Sequence, residues 1–203
     1  MKFGIFGGTF DPVHNGHLIV AEYVRESISL DRILFVPTLI TPNKRDAGIA
    51  SARDRFAMLR EGVKANPFFE VSGAEIERGG ISYTVDTLRF LKEKHPADSL
   101  FLLVGADNLA EFPTWKEPAE ILRCASVVAI TRPGFPAAAN ETALTRGFIS
   151  CRVPAIEVSA TEIRRRIRHG LPISYLVPPA VEKYIGRHRL YRGETEPPEE
   201  RVS

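Results

Sequence analysis

Lys2-Phe3-Gly4-Ile5-Phe6-Gly7-Gly8-Thr9-Phe10-Asp11-Pro12-Val13-His14-Asn15-Gly16-His17-Leu18 is the stretch on which the fold turns. Lys2 to Phe6 is short and apolar, and glycines follow at once, the pattern of a buried strand. Leu18, Ala21, Val24 and Ile28 then recur at helical spacing and mark one face of a helix. A strand, a glycine turn and a helix in that order point backbone N–H groups and a helix dipole at one spot, a ready anion site. Gly7 and Gly8 let the backbone approach a ligand closely. The third glycine of GxGxxG is missing, and no Gly-Lys-Ser/Thr follows to make a Walker A loop. His14 and His17 share a helix face, with Gly16 between them leaving room for a ligand. A metal site would need a third ligand and usually HExxH-type spacing. A pair of donors needs only an anion, so phosphate binding is the expectation.

The rest of the chain repeats the alternation. Arg32 to Val36 reads as a second strand ended by Pro37. Thr38 to Ala50, with Pro42, Asn43, Lys44, Arg45 and Gly48, reads as a loop. Ser51 caps a helix with Asp54 in its first turn and Ala52, Phe56, Leu59 and Val63 facing inward. Phe68 to Val71 is a third strand, with Gly79 and Gly80 in the loop beyond it. Thr84 caps a helix whose inner face is Val85, Leu88 and Leu91 or Lys92. Leu100 to Val104 and Ser126 to Ile130 are the fourth and fifth strands. Phe135 to Phe148 has little periodicity and reads as a loop, and Ile156 to Val158 as a last short strand. A helix from Ser159 to His169 is stopped by Gly170 and Pro172, and a final one runs from near Pro179 to about Arg187.

Strands alternating with helices imply an α/β fold, a doubly wound parallel sheet ordered 3-2-1-4-5 with right-handed crossovers. Ligands in such sheets bind at the carboxyl ends of the strands where the order reverses. Here the loops after strands one and four meet at that point. One domain is expected over residues 1–192, with 193–203 a frayed polar tail.

Composition narrows the function. The 203 residues are 44% hydrophobic and 26% charged, an ordinary soluble balance. Lys and Arg total 27 against 25 Asp and Glu, a formal charge of +2, too even for bulk nucleic-acid or membrane binding. The Arg164 to Arg168 cluster is short, so neither partner is expected. Cys124 and Cys151 form no CxxC and have no His at zinc spacing. They read as two buried free thiols in a reducing compartment, with a disulfide as the alternative. No apolar run reaches the ~20 residues of a membrane span, and the N-terminus reads as a strand, not a signal peptide. The cytoplasm is the expected location.

His14-Asn15-Gly16-His17 resembles the HxGH signature of the nucleotidylyltransferase superfamily. The longer string from Gly7 to Leu18 is similar to the opening of bacterial nicotinate-mononucleotide adenylyltransferases. Further matches follow in order as far as about Tyr191. Ser82-Tyr83-Thr84 resembles the family's substrate loop. Gly105-Ala106-Asp107-Asn108 with Phe112-Pro113-Thr114-Trp115 resembles its pyridine-binding segment. Arg132-Pro133-Gly134 resembles the turn after strand five, and Val158-Ser159-Ala160-Thr161-Glu162-Ile163-Arg164 resembles the second signature. One departure stands out. Relatives often carry Pro-Pro-His and a basic residue after strand two, where this chain has Thr41-Pro42-Asn43-Lys44. Asn43 still donates a hydrogen bond but carries no charge.

The resemblance implies a Rossmann-like nucleotidylyltransferase fold with a small C-terminal helical portion. It also implies transfer of the adenylyl group of ATP to nicotinate mononucleotide, with pyrophosphate as the second product. His14, His17, Lys44 and Arg164 would then act on the reacting phosphates. Gly7, Gly8, Thr9, Phe10, His17, Gly105, Asp107, Ser159, Thr161 and Arg164 would bind ATP. Lys44, Ser82, Tyr83, Thr84, Trp115 and Arg132 would bind the mononucleotide. Mg2+ would arrive on the ATP phosphates, since the sequence offers no carboxylate cage and hence no protein metal site. The substrate phosphate is itself the nucleophile, so catalysis reduces to positioning and charge stabilisation.

The residues themselves allow plainer readings beside these. Ser159 to Glu162 spells a capping box, and a capped helix N-terminus is also an anion site. Trp115, the only tryptophan, sits in a loop and suits stacking on a pyridine ring. Asp11 precedes Pro12 and fits a turn as well as a ligand. Another superfamily transferase and a nucleotide-sensing module that has lost turnover are the rival functions, and homo-oligomerisation is left open.

Overall fold

β1 (Lys2–Gly8) lies at the centre of a six-stranded, all-parallel sheet. On one side it pairs with β2 (Arg32–Pro37), which pairs with β3 (Phe69–Val71). On the other it pairs with β4 (Ser99–Gly105), followed by β5 (Ser126–Thr131) and β6 (Ile149–Arg152). The order is β3-β2-β1-β4-β5-β6, and it reverses between β1 and β4. The structure is a computed structural model that describes residues 1–40, 49–131 and 146–192. Asn43, Lys44, Arg132, most of the Phe135 to Phe148 stretch and the 193–203 tail lie outside those residues.

Both faces of the sheet are covered, which is why its strands read as apolar runs rather than as alternations. On one face Phe3, Ile5, Leu34, Val36, Leu102 and Val104 pack against α4 (Thr84–Lys94) and α6 (Pro118–Cys124), through Val85, Leu88, Leu91 and Ile121. On the other, Ile33, Phe35, Leu103, Val128 and Ile130 meet α1 (Asn15–Ser27), α2 (Ala52–Val63), α7 (Ala160–Arg168) and α8 (Pro179–His188). The caps expected from the sequence form at two helices. Ser51 Oγ accepts the Asp54 N–H at 3.1 Å, and Ser159 Oγ accepts the Glu162 N–H at 3.2 Å. The Glu162 carboxylate turns away to Arg165 at 2.7 Å, so only half of that capping box is made.

The doubly wound sheet and its order agree with expectation, and a sixth strand extends it. The last strand is Ile149–Arg152, not Ile156 to Val158. Cys151 and Val153 point inward there, and Cys151 lies beside Ile130 of β5, whereas 156–158 only leads into the cap of α7. The inner face of α2 also differs. Arg55, Met58, Leu59, Gly62 and Val63 are buried, while Phe56 and Ala52 are only partly so. At α4 the cap position belongs to Tyr83, and Thr84 is the first helical residue. Two short helices, α3 (Ala74–Arg78) and α5 (Ala106–Leu109), are too brief to leave a periodic signal. Cys124 and Cys151 are both free, the second buried and the first half-buried. No helix among the described residues is long and apolar enough to cross a membrane.

Candidate active site

The tip of β1 divides the site in two. Side chains alternate across a strand, so Gly7 shares the face of Phe3 and Ile5, while Gly8 shares that of Phe6. A Cβ on Gly7 would meet nothing within 4 Å, because that position opens onto a cavity. A Cβ on Gly8 would stand 3.1 Å from the Phe10 ring on the opposite side.

The cavity encloses about 610 Å³. Gly7, Gly8 and Thr9 form one wall, and Ser82, Tyr83, Thr84 and Thr87 at the start of α4 form another. Asn108 of α5 and Thr114-Trp115-Lys116 close the third, over an apolar floor that includes Val36, Leu88 and Val104. Trp115 is half-buried and leans on the fully buried Phe112, with ring centroids 5.3 Å apart. Lys116 Nζ lies 4.5 Å above the Tyr83 ring and donates to Asp86 at 3.1 Å, which fixes this rim. Ser82 is buried, and its Oγ accepts the Leu39 N–H at 2.9 Å.

Across the strand tip stand the two histidines. His14 is the N-cap of α1 and His17 lies one turn in, their rings stacked at 3.7 Å. Gly16 makes space for the His14 ring rather than for a ligand, since a Cβ there would sit 3.0 Å from His14 Nδ1. The His14 backbone N–H donates to His17 Nδ1 at 3.3 Å, so the hydrogen of neutral His17 sits on Nε2. Phe10, buried against His17 at 5.0 Å, holds that ring from behind. Burial lowers the His14 pKa to about 4. Burial, and then the neighbouring His14, hold His17 well below the ordinary imidazole value. The apo site therefore presents a pair of neutral rings, and His14 Nδ1 is buried without a partner.

A buried polar hub fastens the loop after β1. Asp11, 3% exposed, accepts from the Ala50 N–H at 3.0 Å and from Tyr191 OH at 2.6 Å. Arg164 of α7 donates to the Asp11 carbonyl at 2.7 Å and lies 3.6 Å from its carboxylate. Arg55 is equally buried and donates to the carbonyls of Thr9 at 2.8 Å, Ala50 at 3.2 Å and Leu39 at 3.3 Å. Loss of solvation lowers its pKa, with Asp11 opposing. Charges are retained in such a place only when fully bonded.

Most of the residues expected from the sequence converge on this region. Gly7, Gly8, Thr9, Ser82, Tyr83, Thr84 and Trp115 line the cavity. Gly105 ends β4 and caps α5, which contains Asp107. Ser159 and Thr161 are exposed at the start of α7, the helix that carries Arg164. The Phe10 side chain belongs to the interior, so only its backbone is open to a ligand. Lys44 and Arg132 fall outside the described residues. Sequence reading missed Arg55, Glu75 and Tyr191. Arg55 left one clue, a charge between Ala52 and Leu59 on an apolar stripe.

Residues 5–166 match the Cytidylyltransferase-like family. A Bacillus pumilus protein named "Probable nicotinate-nucleotide adenylyltransferase" is 42% identical over 190 residues, covering 94% of this chain and 98% of its own. A Thermus thermophilus protein of the same name is 44% identical over 192 residues, covering 95% and 100%. The chain belongs to the nicotinate-nucleotide adenylyltransferase family. Like the rest of that family it is a nucleotidyltransferase. The fold is also that of a Plasmodium falciparum nicotinic acid mononucleotide adenylyltransferase solved with NaAD. The TM-score is 0.74 at 18% identity, with 94% of this chain and 97% of that one covered. The histidine pair, the divided strand tip and the tryptophan-walled cavity are thus features of a nicotinate-nucleotide adenylyltransferase family chain.

Proposed function

We propose that this protein joins ATP to nicotinate mononucleotide, releasing pyrophosphate and nicotinate adenine dinucleotide, by direct in-line attack. The observation that carries this reading is the divided tip of β1. A cavity sized for a small ligand lies on one side, and two neutral donors lie on the other. Two nucleotides bound on those two sides meet phosphate to phosphate above Gly7-Gly8-Thr9.

The mononucleotide occupies the cavity, its pyridine ring stacked on Trp115. Its carboxylate faces Thr84, where the first N–H groups of α4 have no helical partner and the dipole is positive. A mononucleotide phosphate oxygen bonds to the α-phosphorus of ATP as the α–β bridge breaks, and the electron pair leaves on pyrophosphate. No protein nucleophile intervenes. His17 donates through Nε2–H to the α-phosphate, and His14 donates beside it. Ser159, Thr161 and Arg164 receive the outer phosphates at the N-terminal end of α7. Lys44 and Arg132 neutralise phosphate.

The donor set bears on the metal. No group of three or more His, Cys, Asp or Glu among the described residues is placed to hold an ion. Mg2+ carried in on the ATP phosphates would neutralise their charge. The test is pyrophosphate release with ATP and magnesium, offering nicotinate and nicotinamide mononucleotides in parallel. Turnover with the acid and much less with the amide is expected, as is a loss of about a hundredfold or more in kcat for His17→Ala. Equal rates with both nucleotides would remove the acid preference, and no turnover with either would sink the reading.

A further inference from the structure

Glu75 is a buried acid that the reaction described above does not use. It sits in α3, 5% exposed, and its side chain reaches the cavity wall. Thr87 Oγ1 donates to Glu75 Oε1 at 2.6 Å and accepts from Arg78 Nη1 at 3.3 Å. Ser82 lines the same cavity, and its Oγ accepts the Leu39 N–H. Ser82 also donates its own N–H to the Ile40 carbonyl at 2.9 Å. The second oxygen, Oε2, is buried without a hydrogen-bond partner. Burial raises the Glu75 pKa, with the hydroxyls of Ser82 and Thr87 and the charges of Arg78 and Arg55 working against it.

A side chain that only filled space here would be apolar, because a buried carboxyl with one oxygen unmet costs stability. What the carboxyl adds is direction. Its partner, Thr87, lies in the first turn of α4, directly after the Ser82-Tyr83-Thr84 segment that walls the pyridine side of the cavity. We propose that Glu75 is a positioning residue for the acceptor nucleotide, fixing the first turn of α4, and with it the adjoining Ser82-Tyr83-Thr84 segment, through Thr87. The inference rests on the acceptor reading of this cavity. It predicts that the acceptor subsite responds to Glu75 while the ATP side, across the tip of β1, does not.

The test compares Glu75→Leu, Glu75→Gln, Thr87→Val and the double variant Glu75→Leu with Thr87→Val in the full chain. KM is measured for each substrate separately, with kcat and the melting temperature. Glu75→Leu and Thr87→Val are expected to raise KM for the pyridine mononucleotide about tenfold, with kcat and KM for ATP within about twofold. The double variant is expected to be no worse than either single one, because both remove the same contact. Glu75→Gln keeps an acceptor for Thr87 and is expected to restore KM to within about threefold of the wild type. Should Glu75→Leu fail to fold, Thr87→Val carries the test alone. Folded variants with unmoved KM, or with both KM values rising together, overturn the inference. A wild type that accepts neither pyridine mononucleotide overturns the functional reading and this inference with it. An active wild type with unmoved variants overturns this inference only.

Discussion

Imidazole in water titrates near pH 6.5, and neither ring beside the tip of β1 is free to do so. His14 is walled in by His17 and the Gly16 backbone, and His17 gives its Nδ1 to the His14 N–H. Two neighbouring imidazolium ions would repel one another, and burial penalises each of them separately. An incoming polyphosphate reverses both effects by supplying negative charge. In the proposed reaction the rings would serve as neutral donors, and they cost the free protein no trapped charge. An NMR titration of the ring protons checks this directly. The His14 resonance is expected to titrate near pH 4, and that of His17 also well below the ordinary value. A midpoint near 6.5 for either would contradict the buried geometry.

At the scale of elements, the loop after β1 owes its shape to parts of the chain far from it in sequence. Arg55 of α2 holds the Thr9 carbonyl, Arg164 of α7 holds that of Asp11, and Tyr191 beyond α8 holds the Asp11 carboxylate. Two helices and the segment after α8 thus brace one turn, and α2 and α8 also touch each other where Gly62 lets Val181 approach. The Tyr191 hydroxyl keeps its proton more firmly than free tyrosine, through burial and then the Asp11 charge. Tyr191→Phe leaves Asp11 its bond to the Ala50 N–H, so a partial effect is expected. Stability should fall by about 1–2 kcal/mol in urea denaturation. The kcat/KM for ATP should fall severalfold, because the loop that aims His14 and His17 loses one of its anchors. Unchanged values for both would show that the brace does not extend to Tyr191.

For the whole molecule, the histidines make stability depend on pH with a definite sign. Unfolded histidine binds a proton below about pH 6.5, whereas native His14 does so only near 4. The unfolded state thus holds more protons across that window, and stability falls as pH falls through it. Between pH 7 and 5 the His14 contribution is about 2 kcal/mol. Glu75 works in the opposite sense, since its raised pKa favours the native state as acid is added. Comparing urea midpoints of wild type and His14→Gln cancels Glu75 and the other shared groups. The wild type is expected to lose more on going from pH 7 to 5, and equal losses would refute it. Much of this architecture is legible in the sequence, because buried parallel strands are apolar runs and Gly7-Gly8 marks where the first one ends. The cavity wall was legible through Ser82-Tyr83-Thr84 and Trp115. β6 was not, since Ile149-Ser150-Cys151-Arg152 is a short edge segment after a stretch without period. Arg55 was hidden because a charged residue on a helix reads as exposed, and only folding supplies its three carbonyls. The burial of Asp11 depends on Ala50, Arg164 and Tyr191, which no local pattern links to it.

The bond between Asp11 and Tyr191 joins two residues 180 positions apart in the sequence. An emerging chain can lay β2 beside β1 and wrap α1 over them well before α8 exists. The turn that orients both histidines lacks one tether until the segment after α8 is in place. A chain that has folded only from its N-terminal side thus holds the sheet centre before it holds the turn.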